Sequence, residues 1–109
     1  MLDKWLRTLE SYKLQAIGKV RESCIDHEII ESATKEIEVN CITVRNFLRK
    51  MYAEGYRLNE DISRVDEDYA AFEGYRRLMN HVEHHLWEIR QIPIAISNRN
   101  YRPIFLRYY

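Results

Sequence analysis

Apolar residues recur along this chain at steps of three and four residues through three long segments. The first segment places its apolar side chains on one narrow helical face: Leu2, Trp5, Leu9, Tyr12, Ala16 and Val20. The second repeats at intervals of seven: Ile30, Ile37, Val44 and Met51, with Cys41 and Leu48 at alternate positions. Such stripes predict amphipathic helices that bury one face against each other.

Local signals predict where these helices begin and end. The first helix should cover residues 2–23 and the second about 27–54, with Asp26 as the N-terminal cap and Gly55 as the C-terminal cap. Asn59 is a plausible cap for a third helix, which Pro93 should end because the residue before a proline avoids the helical region. The apolar spacing slips near Gly74, where we expect a kink, a break or a change of packing partner.

These elements predict an all-α fold, an antiparallel bundle of three long helices. We expect a helical domain over residues 1–91 and an extended or hairpin tail over 92–109. Ile92, Ile94 and Ile96 alternate, as in a strand. Two large apolar residues, Leu14 and Trp87, lie off the stripes. They either widen the core or form a second contact surface.

The charge balance and the apolar content of the sequence exclude several classes of function. Lysine plus arginine equals aspartate plus glutamate at 17 each, which argues against general nucleic-acid binding and against an acidic DNA mimic. No apolar run has the length of a membrane span, and the charged N-terminus lacks the core of a signal peptide. We therefore expect a cytoplasmic protein with Cys24 and Cys41 reduced and buried.

The tail interleaves cations with aromatic rings and contains no acidic residue. The residues in question are Arg99, Tyr101, Arg102, Phe105, Arg107, Tyr108 and Tyr109. This mixture is typical of protein interfaces, and it also suits single-stranded nucleic acids. A third interpretation is that the tail packs along its own bundle with its arginines in solvent.

Three of the four histidines cluster in residues 81–85. His81 and His85 are four residues apart on one helical face, a spacing at which two imidazoles can grip one metal, with His27 or Glu31 as a further ligand. Val82 occupies the place where a zinc-protease motif requires glutamate. The pattern also fits histidines at the boundary of the core or a pH-sensitive interface, and we expect no metal or other cofactor.

Arg76 and His81 enclose four residues. That spacing resembles the short motif of HEPN-type ribonucleases, which are small all-helical proteins that usually dimerise. The resemblance covers six residues, and Arg77 stands where the family most often has asparagine. It implies that Arg76 would stabilise phosphate charge and that His81 would take part in proton transfer.

The leading hypothesis is a small non-enzymatic protein-binding module, a homodimeric adaptor or inhibitor. It would act through the bundle surface, including Trp87, and through the tail. Its size and lack of a site motif are typical of an accessory protein of a phage. The alternatives are a HEPN-like ribonuclease that uses Arg76 and His81, and a nucleic-acid-binding regulator that uses the tail.

Overall fold

The computed structural model describes residues 2–57, 59 and 61–103. Within them three helices pack against each other: α1 (Leu2–Ser23), α2 (His27–Ala53) and α3 (Glu73–Ser97). Trp5 of α1 packs edge-on against Tyr52 near the end of α2, while Ser97 of α3 bonds Ser23 at the end of α1. The chain therefore runs up, down and up, and the predicted antiparallel bundle is confirmed.

The first two helices have the predicted limits. The Asp26 side chain accepts hydrogen bonds from the amides of Glu28 and Ile29, which caps α2. At the other end Gly55 has a φ of 83°, in the left-handed region that glycine adopts without strain. The Tyr56 amide donates to the Met51 carbonyl and the Gly55 amide to that of Tyr52, a Schellman turn that stops the helix.

The core is made from the predicted stripes. The inward side of α2 is almost completely buried at Ile37, Cys41, Val44, Leu48 and Met51, and Trp5, Leu9 and Val20 of α1 belong to the same core. Leu14 and Trp87 are 60% and 54% exposed, so they do not widen the core. No helix in the described part of the chain has the length and apolar character that crossing a bilayer requires.

The third helix starts later than predicted. Residues 61–72 form turns and a single 3₁₀ turn, Glu67–Tyr69, and α3 begins at Glu73, beside the glycine where a break was expected. Side-chain oxygens compete with the helix here, because Asp61 accepts bonds from the Ser63 amide and hydroxyl, and Asp66 from the Asp68 amide. Ile62 is nonetheless buried, so it joins the core without being part of a helix.

The third helix also ends later than predicted. It runs through Pro93 to Ser97, so the proposed end at Pro93 and the strand through Ile92, Ile94 and Ile96 are wrong. A proline inside a helix removes one backbone hydrogen bond at a cost of about 3 kcal/mol. Here Pro93 is buried with Ile92 and Ile96 in the bundle, and that packing offsets the loss.

Candidate functional site

An exposed apolar surface lies where α3 borders α1. Trp87 and Ile94 are seven residues apart on α3 and are 54% and 49% exposed. Because seven residues make two helical turns, the two side chains share one face, with Arg90 between them. We call these three residues, together with Tyr12 and Lys19 of α1, the Trp87 surface.

A groove of about 250 Å³ runs beside Ile94 between the two helices. Its apolar floor includes Ala16, Ile89 and Pro93, and Lys19 and Arg90 supply cations at its edges. The Arg90 guanidinium donates a hydrogen bond of 2.9 Å to the Tyr12 hydroxyl and lies 5.0 Å from the centre of that ring. These contacts hold Arg90 along the groove.

The C-terminal segment that follows α3 is anchored on α2 through Tyr101. Tyr101 is half-buried against the core, and its hydroxyl donates a bond of 2.8 Å to the Glu36 carboxylate. Glu36 is only 5% exposed, so this bond helps to satisfy a buried charge on α2. Ser32 lies 3.4 Å from the same hydroxyl.

The turn that leads into this segment is strained. Arg99 follows α3 with a φ of 58°, and the amides of Arg99 and Asn100 bond the carbonyls of Ile96 and Ala95. This is again a Schellman turn, but with a side chain where glycine is preferred. The predicted tail residues Arg99 and Arg102 are exposed. Phe105, Arg107, Tyr108 and Tyr109 lie outside the described residues.

A wider groove separates α2 from the anchored segment. It has a volume of about 660 Å³ and is lined by Glu28, Ile29, Glu31, Ser32, Lys35, Tyr101, Arg102 and Pro103. Glu31 and Lys35 form an ion pair of 3.0 Å on its wall. Its charges are of both signs, and they define no single class of ligand.

The histidine cluster lies on the α2 side of α3. His81 stacks flat on Phe47 with ring centres 4.6 Å apart, and His85 Nδ1 lies 2.9 Å from the Asn40 side-chain oxygen. Burial, assisted by the neighbouring His84 and His81, holds the pKa of His85 below its ordinary value. This arrangement is that of boundary histidines with partners from α2.

The expected further metal ligands lie elsewhere. His27 and Glu31 occupy the N-terminal end of α2, whereas His81 packs on Phe47 toward its C-terminal end. Among the described residues, no group of three or more histidine, cysteine, aspartate or glutamate side chains is placed to hold a metal ion.

The residues of the ribonuclease-like spacing point in different directions. Arg76 and His81 are five residues apart on α3, a separation of about 140° around a helix. His81 faces α2 through Phe47, and Arg76 is an exposed residue about 140° away around α3. The helix therefore does not bring these two side chains to one point, and their catalytic role stays a prediction.

Both cysteines are free, and they differ in environment. Cys41 is buried, and burial raises the pKa of its thiol to about 11. Cys24 lies at the partly exposed turn between α1 and α2. The buried thiol is a core side chain and not a nucleophile.

Sequence reasoning found Trp87 but missed the residues around it. The alternation of Ile92, Ile94 and Ile96 favours a strand, although the position of Ile94 seven residues after Trp87 indicates a shared helical face. Tyr12 belongs to the apolar stripe of the first helix, and nothing in the sequence pairs it with Arg90.

Comparison of the chain with protein-family models, with curated proteins and with solved structures finds no match.

Proposed function

We propose that this chain is a non-enzymatic protein-binding module, a homodimeric adaptor or inhibitor, that engages its partner through the Trp87 surface. The observation that carries the proposal is the exposure of Trp87 and Ile94 on one face beside a groove edged by Arg90 and Lys19. Tryptophan, tyrosine and arginine are the residues that most often dominate the energy of protein interfaces.

The side chains of the Trp87 surface indicate which groups a partner protein should present. Trp87 and Ile94 offer apolar contact area, while Lys19 and Arg90 offer positive charge at the groove edges. The matching segment of a partner protein would pack apolar side chains on Trp87 and Ile94 and present a carboxylate to Arg90, which lies between them. Because Arg90 is already oriented by Tyr12, binding would cost little side-chain entropy.

The tail has a different part in this proposal. Tyr101 is anchored on Glu36 of α2, whereas the Trp87 surface belongs to α1 and α3, so Tyr101 stabilises the bundle from which that surface projects. Arg99 and Arg102 remain exposed cations that can add contacts at the rim of an interface.

The proposal is tested with purified components. A partner first isolated by affinity from the host is titrated against the wild-type chain and the variants Trp87→Ala, Ile94→Ala and Ile25→Ala. Ile25 is the control, because it is 95% exposed but lies in the turn between α1 and α2. Removal of an anchor at the centre of an interface costs about 2 kcal/mol, roughly a thirtyfold rise in Kd.

We expect that rise for Trp87→Ala, a smaller rise for Ile94→Ala, and no change for Ile25→Ala. Circular dichroism checks that each variant keeps its helices. If all three variants bind the partner as tightly as the wild type, the Trp87 surface is not the binding site.

A further inference from the structure

The outer face of α2, the side on which most residues are exposed, carries a stripe of its own. Six residues recur at alternating steps of four and three: Glu31, Lys35, Glu38, Ile42, Arg45 and Arg49. This is the spacing of a helix that packs along a second helix. Ile42 and the adjacent Val39 are 51% and 59% exposed at the middle of the stripe.

The charges of this helix are divided by sign. Residues 27–39 contain four glutamates and one lysine, whereas residues 40–53 contain two arginines, one lysine and no acidic residue. The helix dipole favours such a division, but only within the first and last turns. Glu38 and Arg45 lie in the middle of α2, so the dipole does not account for them.

The basic half of α2 has no ion-pair partner in the part of the protomer that the structure describes. Among the described residues, no carboxylate forms an ion pair with Arg45, Arg49 or Lys50. Arg45 and Arg49 are also four residues apart, a spacing at which like charges destabilise a helix. Glu38 likewise has no ion-pair partner in the described part of the chain. Among the described residues, Glu38, Arg45 and Arg49 thus lack the opposite charges that a reversed copy of the stripe would offer.

We propose that two copies of this chain associate through this face, with their α2 helices antiparallel about a two-fold axis near residues 40–42. This inference rests on the homodimer of the proposed function and identifies its interface. In a two-fold dimer the same patch faces itself, so it must be complementary to its own reversed copy. The outer face of α2 meets that condition.

The pairings share one centre. Glu31 and Arg49 have their midpoint at residue 40, Val39 and Ile42 between 40 and 41, and Glu38 and Arg45 between 41 and 42. At about 1.5 Å per residue these midpoints agree within about 2 Å along the helix. One antiparallel arrangement therefore places acids against bases at both ends and Val39 against Ile42 in the middle.

One residue of the stripe departs from the pattern. Lys35 lies in the acidic half, but it is already paired with Glu31 at 3.0 Å. In the dimer that pair would face Asn46 of the second copy and extend toward its Arg49, as part of a network.

The arrangement leaves the Trp87 surface accessible. In a bundle of three helices, the outer face of α2 lies opposite the groove between α1 and α3. A dimer through α2 would therefore present two copies of the Trp87 surface on its outer sides. Two such sites on one assembly would bind a partner that is itself repeated more tightly than either site alone.

The test reverses the charges of each half separately. One variant carries Glu31→Lys and Glu38→Lys, and the other carries Arg45→Glu and Arg49→Glu. Light scattering after gel filtration measures the mass of the wild type, of each variant and of their equimolar mixture. Trp87→Ala serves as the control, because it lies off this interface and should keep the wild-type mass.

We expect a dimer for the wild type, at twice the 13.3 kDa of one chain. Each variant alone should be a monomer, with its dissociation constant raised by about tenfold or more through like-charge repulsion. Their mixture should return to the dimer mass, because every reversed charge then meets an opposite one.

Each contrary result has its own meaning. A wild-type monomer at 100 μM would overturn both the homodimer and this interface, but not binding through the Trp87 surface. A wild-type dimer with charge-reversed variants that also stay dimeric would overturn the interface alone. Monomeric variants whose mixture stays monomeric would also overturn it.

If circular dichroism shows that a variant does not fold, the unaltered protein supplies the test. A dimer prepared from ¹⁴N- and ¹⁵N-labelled chains is cross-linked through its lysines and digested. The proposal requires mixed-isotope cross-links between Lys35 and Lys50, and a dimer without them contradicts it.

Discussion

The bond between Tyr101 and Glu36 makes a quantitative prediction about stability. Tyr101→Phe keeps the ring that packs on the core but removes the hydroxyl that donates to the Glu36 carboxylate at 2.8 Å. Because Glu36 is 5% exposed, water cannot easily replace that donor. A hydrogen bond to a charged group contributes about 1.5–3 kcal/mol, and we expect the free energy of unfolding to fall by that amount.

Urea unfolding followed by circular dichroism measures this change. With a slope of about 1.5 kcal/mol per molar urea, a loss of about 2 kcal/mol lowers the midpoint by about 1.3 M. Tyr12→Phe is the matched control, because the Tyr12 hydroxyl also bonds a charged group, Arg90, but at an exposed site. We expect that variant to lose less than about 1 kcal/mol.

Equal losses of stability in the two variants would contradict this prediction. They would show that burial of Glu36 gives its bond no special weight. A Tyr101→Phe midpoint within about 0.2 M of the wild type would show, more strongly, that the tail segment is not anchored through this hydroxyl.

Four further predictions concern single positions. Gly18 lies inside α1 with open space where a Cβ would stand, so Gly18→Ala should raise the free energy of unfolding by about 1 kcal/mol and Tm by about 4–8 °C, as calorimetry would show. Arg99→Gly should stabilise by about 1 kcal/mol in urea unfolding, because glycine relieves the left-handed φ of 58°. Iodoacetamide should modify Cys24 quickly and Cys41 only on unfolding, because the Cys41 thiol is buried and its pKa is raised to about 11; equal rates by mass spectrometry would contradict this. The lowered pKa of His85 means that the unfolded chain takes up its proton first, so the free energy of unfolding should fall as pH drops below about 6.5; in His85→Gln that part of the pH dependence should be missing.

The sequence was informative where local pattern and tertiary packing agree. In α1 and α2 the apolar stripe, the Asp26 cap and the Gly55 stop all indicate the same limits, and the structure has them. In the third segment the local pattern and the tertiary packing disagree. Asn59 resembles a helix cap, and its side chain does accept a bond from the Asp61 amide, but local side-chain bonds then favour turns over a helix.

The wrong prediction that the third helix ends at Pro93 has a different physical origin. Pro93 has a strong local tendency to end a helix, but its ring is buried in the bundle and α3 continues for four residues beyond it. The gain from tertiary burial is not visible in a single segment. The same limit applies to the site, because the pairing of Tyr12 with Arg90 joins residues 78 positions apart. Only Trp87 could be proposed beforehand, since a large apolar side chain off the stripe is itself a local signal.

The most direct test of the account is whether Trp87 is buried when a partner binds. The chain has two tryptophans, Trp5 at 2% and Trp87 at 54% exposure, so incorporation of 5-fluorotryptophan gives two ¹⁹F signals that a Trp87→Phe sample assigns. On titration with the purified partner, we expect the Trp87 signal to shift and to lose its sensitivity to solvent, while the Trp5 signal stays in place. A saturated complex in which the Trp87 signal keeps its free position and its solvent sensitivity would contradict the central claim.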